Sequence, residues 1–106
     1  MAKLILTKPA QMDLEEIVSI YANLAGANSA RKMAERIYDA MSRLEDFPLS
    51  GHPIRDPELY LQGYRFVVAS PYLCIYQPMG DKVVVHHIVH GASNYPSLLK
   101  GELTDK

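Results

Sequence analysis

The spacing of apolar residues changes twice along this chain, and those changes limit the fold more than any other feature. From Ala10 to Ala25 they recur at helical intervals (Ala10, Leu14, Ile17, Val18, Tyr21, Leu24), and again from Ala30 through Met33, Ile37 and Met41 to Leu44. After Tyr64 the pattern becomes short strand-like runs, "YRFVVAS", "YLCIYQ" and "KVVVHHIVH", preceded at the N-terminus by an isolated "KLILT". Two helices that each bury one stripe, followed by strands joined through tight turns, predict an α+β fold. Its order is an N-terminal strand, an α-helical hairpin, and a three-stranded antiparallel meander, with the helices packed on one sheet face.

Local signals mark the boundaries. Pro9 suits the first helical turn, where its missing N–H costs nothing, and Asp13, Glu15 and Glu16 place negative charge early in that helix. Gly26 is read as the stop of the first helix, with Asn28 or Ser29 capping the second. Arg31 with Glu35, and Asp39 with Arg43, form i,i+4 pairs on the wet side. Pro48 disfavours helix at Phe47 and ends the hairpin. The segment "PLSGHPIRDPELYLQG" reads as a long loop with a helical turn near Pro57 to Tyr60, a candidate partner-facing stretch. Ser70-Pro71 and "PMGD" supply the strand turns. On this reading Phe66, Val68, Leu73 and Ile75 pack on the helices, and Arg65, Tyr72 and Tyr76 fall on the other face.

Composition restricts the function classes. A chain of 106 residues is expected to form one domain over 1–106 with a single core. Eleven Lys and Arg against twelve Asp and Glu give a net charge of −1, which argues against a protein that grips nucleic acid through many phosphate contacts. The lone Cys74 excludes an internal disulfide and suits a reducing cytoplasm. No leader-like segment and no apolar run of about 18 residues is present, so neither secretion nor a membrane span is expected.

The run "HHIVHG" places His86, His87 and His90 on and just after the last strand. A shared metal fails on regular strand geometry, because His86 and His90 would stand ~13 Å apart along one face and His87 would point to the other. Ligands of one zinc ion must each come within about 2.1 Å of it. Neither a metal nor a cofactor is therefore expected. His90 before Gly91 suits either a backbone bond in the turn, a target contact, or proton transfer.

The order and spacing of four segments carry a resemblance. "PAQMDLEEIVSIYA", "ARKMAERIYDAMSRLEDFPLSGHP", "GYRFVVASPYLCIYQ" and "VVHHIVHGASNYPSLL" together resemble the RelE/ParE family of bacterial toxins of type II toxin–antitoxin systems, over nearly the whole chain. The resemblance implies a helical hairpin on a twisted antiparallel sheet and a cognate antitoxin that wraps the toxin. It leaves open a homodimer or a toxin–antitoxin hetero-oligomer. ParE-like members bind and poison DNA gyrase; RelE-like members enter the ribosome and cut mRNA.

Metal-free RNA cleavage needs a base, an acid and cations around the phosphorane. RelE-like members take these from several Lys and Arg and a tyrosine. Here Arg65 matches a basic strand position, but Val67, Leu73 and Ser93 stand where the family pattern places basic residues. The resemblance thus implies a ParE-like toxin whose target-binding residues are Arg65, His87, His90 and Tyr95, with His87 at an at least partly exposed position that ParE-like members fill with arginine. The alternative is a RelE-like endonuclease with Arg65, His90 and Tyr95 as its catalytic set. A third reading is a toxin fold without toxicity that only assembles with an antitoxin or a second copy.

Overall fold

The computed structural model describes residues 1–104, with the side chains of 102–104 excepted; the expected domain boundary at 106 extends two residues further. Strand β1 (Lys3–Leu6) leads into helix α1 (Lys8–Ala25), whose first turn is capped by Thr7: its hydroxyl accepts the Ala10 N–H at 3.2 Å. Helix α2 (Ala27–Ser42) starts immediately afterwards, so one residue, Gly26, makes the whole interhelical turn with φ 92°. That conformation lies in the left-handed region where a side chain is strained and glycine is not. Two expectations are corrected here. Asn28 and Ser29 lie inside α2 instead of capping it, and Asp13 stands beyond the first turn of α1, where the helix dipole has largely faded. Arg31 donates to Asn28 at 3.0 Å and the Arg43 Nε to the Asp39 carbonyl at 3.4 Å, in place of the two predicted ion pairs.

A 3₁₀ turn (Arg43–Glu45) closes the hairpin. The long connection is more structured than a loop. It holds a two-residue strand β2 (His52–Pro53) and the short helix α3 (Pro57–Leu61), capped by the Asp56 carboxylate. Strands β3 (Arg65–Ala69), β4 (Tyr72–Met79) and β5 (Lys82–His90) form the expected meander, and helix α4 (Tyr95–Thr104) follows. The five strands lie in the order β1-β5-β4-β3-β2, with β1 parallel to β5 and every other neighbour antiparallel.

The α1–α2 hairpin covers one sheet face, burying Ile17, Met33, Ile37, Met41 and Leu44 against Cys74, Tyr76, Val83, Val85 and Ile88. The opposite face is also covered in part: Ile54, Leu59 and Leu99, brought by α3, α4 and their flanks, pack on Tyr64, Phe66, Ile75 and Val89. The face assignment read from the sequence is therefore reversed. Tyr72 and Tyr76 lie toward the hairpin; Phe66 and Ile75 lie away from it. Two covered faces put apolar residues at both parities of a strand, so alternation marks the two faces without saying which one meets the helices.

Candidate functional site

At residues 86 and 87 the last strand gains one residue over its partner. Ile75 pairs with His87 and Tyr76 with Val85, so a bulge intervenes and the in–out alternation resets. Beyond it, Ile88 packs under the hairpin where an unbroken strand would have placed His87. The three imidazoles end with three different partners. His86 lies beside the Tyr64 ring at 5.3 Å and its Nε2 meets Gln77 Oε1 at 2.8 Å. His87 Nδ1 meets Asp13 Oδ2 of α1 at 2.8 Å. His90, on the hairpin side, contacts the Tyr72 ring edge-on at 5.8 Å. His86 and His90 do not share a face, against the regular-strand expectation.

His87 is 7% exposed. The expected partly exposed, target-facing position is corrected: the bond to the Asp13 carboxylate holds this ring against α1. Asp13 also accepts the Ile88 N–H at 3.0 Å, so one carboxylate ties helix α1 to the edge of β5 where β1 has already ended. No sequence signal marks this contact, because the two residues lie 74 positions apart.

His90 is exposed and fastens the following turn. Its Nδ1 accepts the Ala92 N–H at 3.1 Å, and its carbonyl accepts the Ser93 N–H at 3.0 Å and the Ser93 hydroxyl at 2.7 Å. Tyr95 starts α4 two residues later, half-buried. Between α1, the end of β5 and α4 lies a groove of about 460 Å³ whose walls include Asp13, Ile17, Ile20, Tyr72, His90 and Tyr95. Sequence reasoning placed His90 and Tyr95 at a common site and missed Asp13 and the α1 wall.

Arg65 stands elsewhere. On β3 it pairs with Tyr76, whereas His90 pairs with Tyr72; four residues of β4 separate those positions, ~13 Å along the strand. Its Nη1 donates to the carbonyls of Leu49 at 3.1 Å and Gly51 at 2.8 Å. Tyr76, fully buried, donates its hydroxyl to the Pro48 carbonyl at 2.8 Å and accepts the Gly51 N–H at 3.0 Å. Together these bonds hold the 47–52 loop, with Phe47 and Leu49 each 66% exposed on its outside. The structure thus joins His90 with Tyr95, and leaves Arg65 and His87 apart from them in supporting positions. The open part of the sheet face, around Val68 and Phe66, is bordered by His52 and Arg55 and otherwise carries apolar side chains.

Among the described residues no cluster of three His, Cys, Asp or Glu side chains stands close enough to hold a metal ion, and no helix is long and apolar enough to cross a membrane. Burial pushes the Cys74 thiol up to about 12 and so keeps it protonated and unreactive at neutral pH.

Comparison with solved structures places the fold. The chain superposes on a protein of the chromosomal ParDE toxin–antitoxin system from P. aeruginosa with a TM-score of 0.71 and 23% identity, covering 85% of this chain and 96% of that one. Against a YoeB/ParE toxin from Agrobacterium tumefaciens the TM-score is 0.57 at 17% identity, over 83% and 96% of the two chains. Against a chain of the E. coli DinJ–YafQ complex it is 0.63 at 13% identity, over 90% and 99%. No curated protein sequence matches. Residues 4–95 match the family described as the ParE toxin of the type II toxin–antitoxin system parDE. That match spans both helices of the hairpin and, but for Lys3, all five strands, and the chain belongs to the ParE toxin family.

Proposed function

We propose that this toxin acts in the cytoplasm by binding DNA gyrase and trapping it on cleaved DNA, and that a cognate antitoxin neutralises it. The observation that supports binding over chemistry is the dispersal of the cleavage set. Arg65 is committed to two loop carbonyls and stands four strand positions from the level of His90 and Tyr95. A phosphorane charge gains little from a cation at that distance. His90 and Tyr95 are the target-contacting residues in this proposal. His87 acts through Asp13, and Arg65 through the loop that carries Phe47 and Leu49; both are positioning residues.

Induced expression in bacteria tests this reading. Filamentation, SOS induction and covalent gyrase–DNA complexes with intact mRNA are expected. Rapid cleavage of translated mRNA without gyrase complexes would replace it with the endonuclease reading, and normal growth without antitoxin with the non-toxic one. Within the expected outcome, His90→Ala should lower toxicity more than it lowers the melting midpoint.

A further inference from the structure

The groove beside β5 has a feature that its volume does not convey: an open bonding edge. Strand β1 runs alongside β5 only as far as the Leu6–Val85 pair, and Thr7 then donates its N–H to the Val85 carbonyl at 3.0 Å. Past that point no strand among the described residues lies in the lane beside β5. On β5, Gly91 N–H reaches back to the Pro71 carbonyl at 2.9 Å, so strand alternation turns the N–H and C=O of Ile88 and His90 away from β4 and toward the empty lane. Two of these four groups are engaged: the Ile88 N–H by Asp13, and the His90 carbonyl by Ser93. The Ile88 C=O and the His90 N–H have no partner among the described residues.

Those two groups flank Val89 and can each take one bond from an extended neighbour. A parallel neighbour bonds with a single residue that gives its N–H to the carbonyl of residue i−1 and takes the N–H of residue i+1; with Val89 as i, these are the two open groups. An antiparallel neighbour uses the same two groups across a widely spaced pair, one of its residues giving an N–H to the Ile88 carbonyl and the residue two positions before it accepting the His90 N–H. The side walls add chemistry. Ile17, Ile20 and Leu98 give an apolar surface, and Glu16, exposed and without an ion pair among the described residues, adds a negative charge beside Asp13.

We infer that the groove takes an extended peptide segment paired with β5 in the lane of β1, with an aliphatic side chain on the Ile17–Leu98 surface and a lysine or arginine one or two positions away facing Asp13 and Glu16. It rests on the proposal that an antitoxin binds this toxin, and identifies the chemistry of the antitoxin segment that covers His90 and Tyr95. Strand addition supplies affinity through the main chain and specificity through the flanking side chains.

The test uses the isotope-labelled chain and blocked hexapeptides. An alternating valine–lysine peptide should slow exchange of the His90 amide while leaving the Ile88 amide, already bonded to Asp13, unchanged. An alternating valine–glutamate peptide should bind at least about tenfold more weakly, and Glu16→Gln should weaken the lysine peptide about two- to fivefold. An ester in place of the central peptide N–H, which removes the donor to Ile88, should weaken it about tenfold. An unprotected His90 amide when the α1 resonances are saturated would overturn the inference, as would the absence of binding at millimolar peptide. The same exchange measurement on the complex with the co-expressed cognate antitoxin separates the two claims. Capture with the His90 amide still exchangeable overturns this inference alone, whereas no capture overturns the antitoxin proposal beneath it.

Discussion

A methyl group at position 51 would lie 2.5 Å from the Tyr76 hydroxyl oxygen, 2.6 Å from its ring and 2.8 Å from the Phe66 carbonyl. Two of these three contacts come from a ring locked by hydrogen bonds and the third from backbone, so the site has no cheap way to yield. Gly51→Ala is expected to cost about 1–3 kcal/mol by overpacking. Tyr76→Phe keeps the ring but strands the buried Gly51 N–H and the Pro48 carbonyl, for a similar cost of about 1–3 kcal/mol. Urea denaturation of both variants checks this; midpoints equal to the parent would show that the loop is not held by this lock. Cys74 gives a pH test. Its folded thiol titrates near 12 against an ordinary 9.0, so above pH 9 the unfolded chain loses a proton that the folded chain keeps. Stability therefore falls as pH rises between those values, and Cys74→Ala should flatten that part of the profile. In the native state the thiol should stay silent to a thiol reagent at pH 8 until urea unfolds the chain.

Helix α4 is attached differently from the hairpin. Leu99 is buried at 1% exposure against Ile54, Leu59, Tyr64 and Ile75, while Lys100 meets Asp56 at 2.8 Å on the surface. The Leu99 contact dominates, since exposed ion pairs contribute little. Leu99→Ala is expected to cost about 2–4 kcal/mol and to raise amide exchange in α4 while α1 and α2 stay protected; uniform loss of protection would mean that α4 is part of the central cooperative unit. The hydrogen bond that Lys100 donates to Asp56 holds the carboxyl below its ordinary 3.8 and the ammonium above its ordinary 10.5. Whatever this pair contributes is thus lost as pH falls through the lowered Asp56 value or rises through the raised Lys100 value.

Elements of this kind were unevenly legible in the sequence. The hairpin, the meander and the helical turn at Pro57 follow from period and punctuation. The bulge, the strand β2 and the Asp13–His87 contact do not, because each depends on which distant residue arrives opposite. The resemblance places His87 at a partly exposed position, whereas Asp13 of α1, distant in sequence, meets its ring and leaves it buried. For the candidate site, His90 and Tyr95 were visible as neighbours in sequence, whereas the α1 wall opposite them was not.

At the scale of the whole molecule, the first strand closes the sheet last in space: residues 3–6 pair with residues 82–85, across nearly the full chain. Such long-range parallel pairing forms late, since the loop must close before any bond rewards it. Deleting residues 1–6 should leave the meander paired but uncover the β5 edge at Val83 and Val85, both fully buried in the intact chain. An uncovered apolar strand edge is an association surface. The deletion variant is expected to elute as oligomers or to precipitate, and a monomeric, fully protected variant would show that β1 is dispensable to the edge.

The bulge also has a consequence for how relatives of this toxin could diverge. Removing His86 would leave Tyr76 opposite Val85 and Ile75 opposite His87 in an unbroken ladder, with Ile88 still under the hairpin and Val89 still toward α4. The extra residue is absorbed where it stands, so the surface beyond it keeps its register with or without that residue. Within a lineage, length at this point should therefore vary independently of the surface that the end of β5 presents.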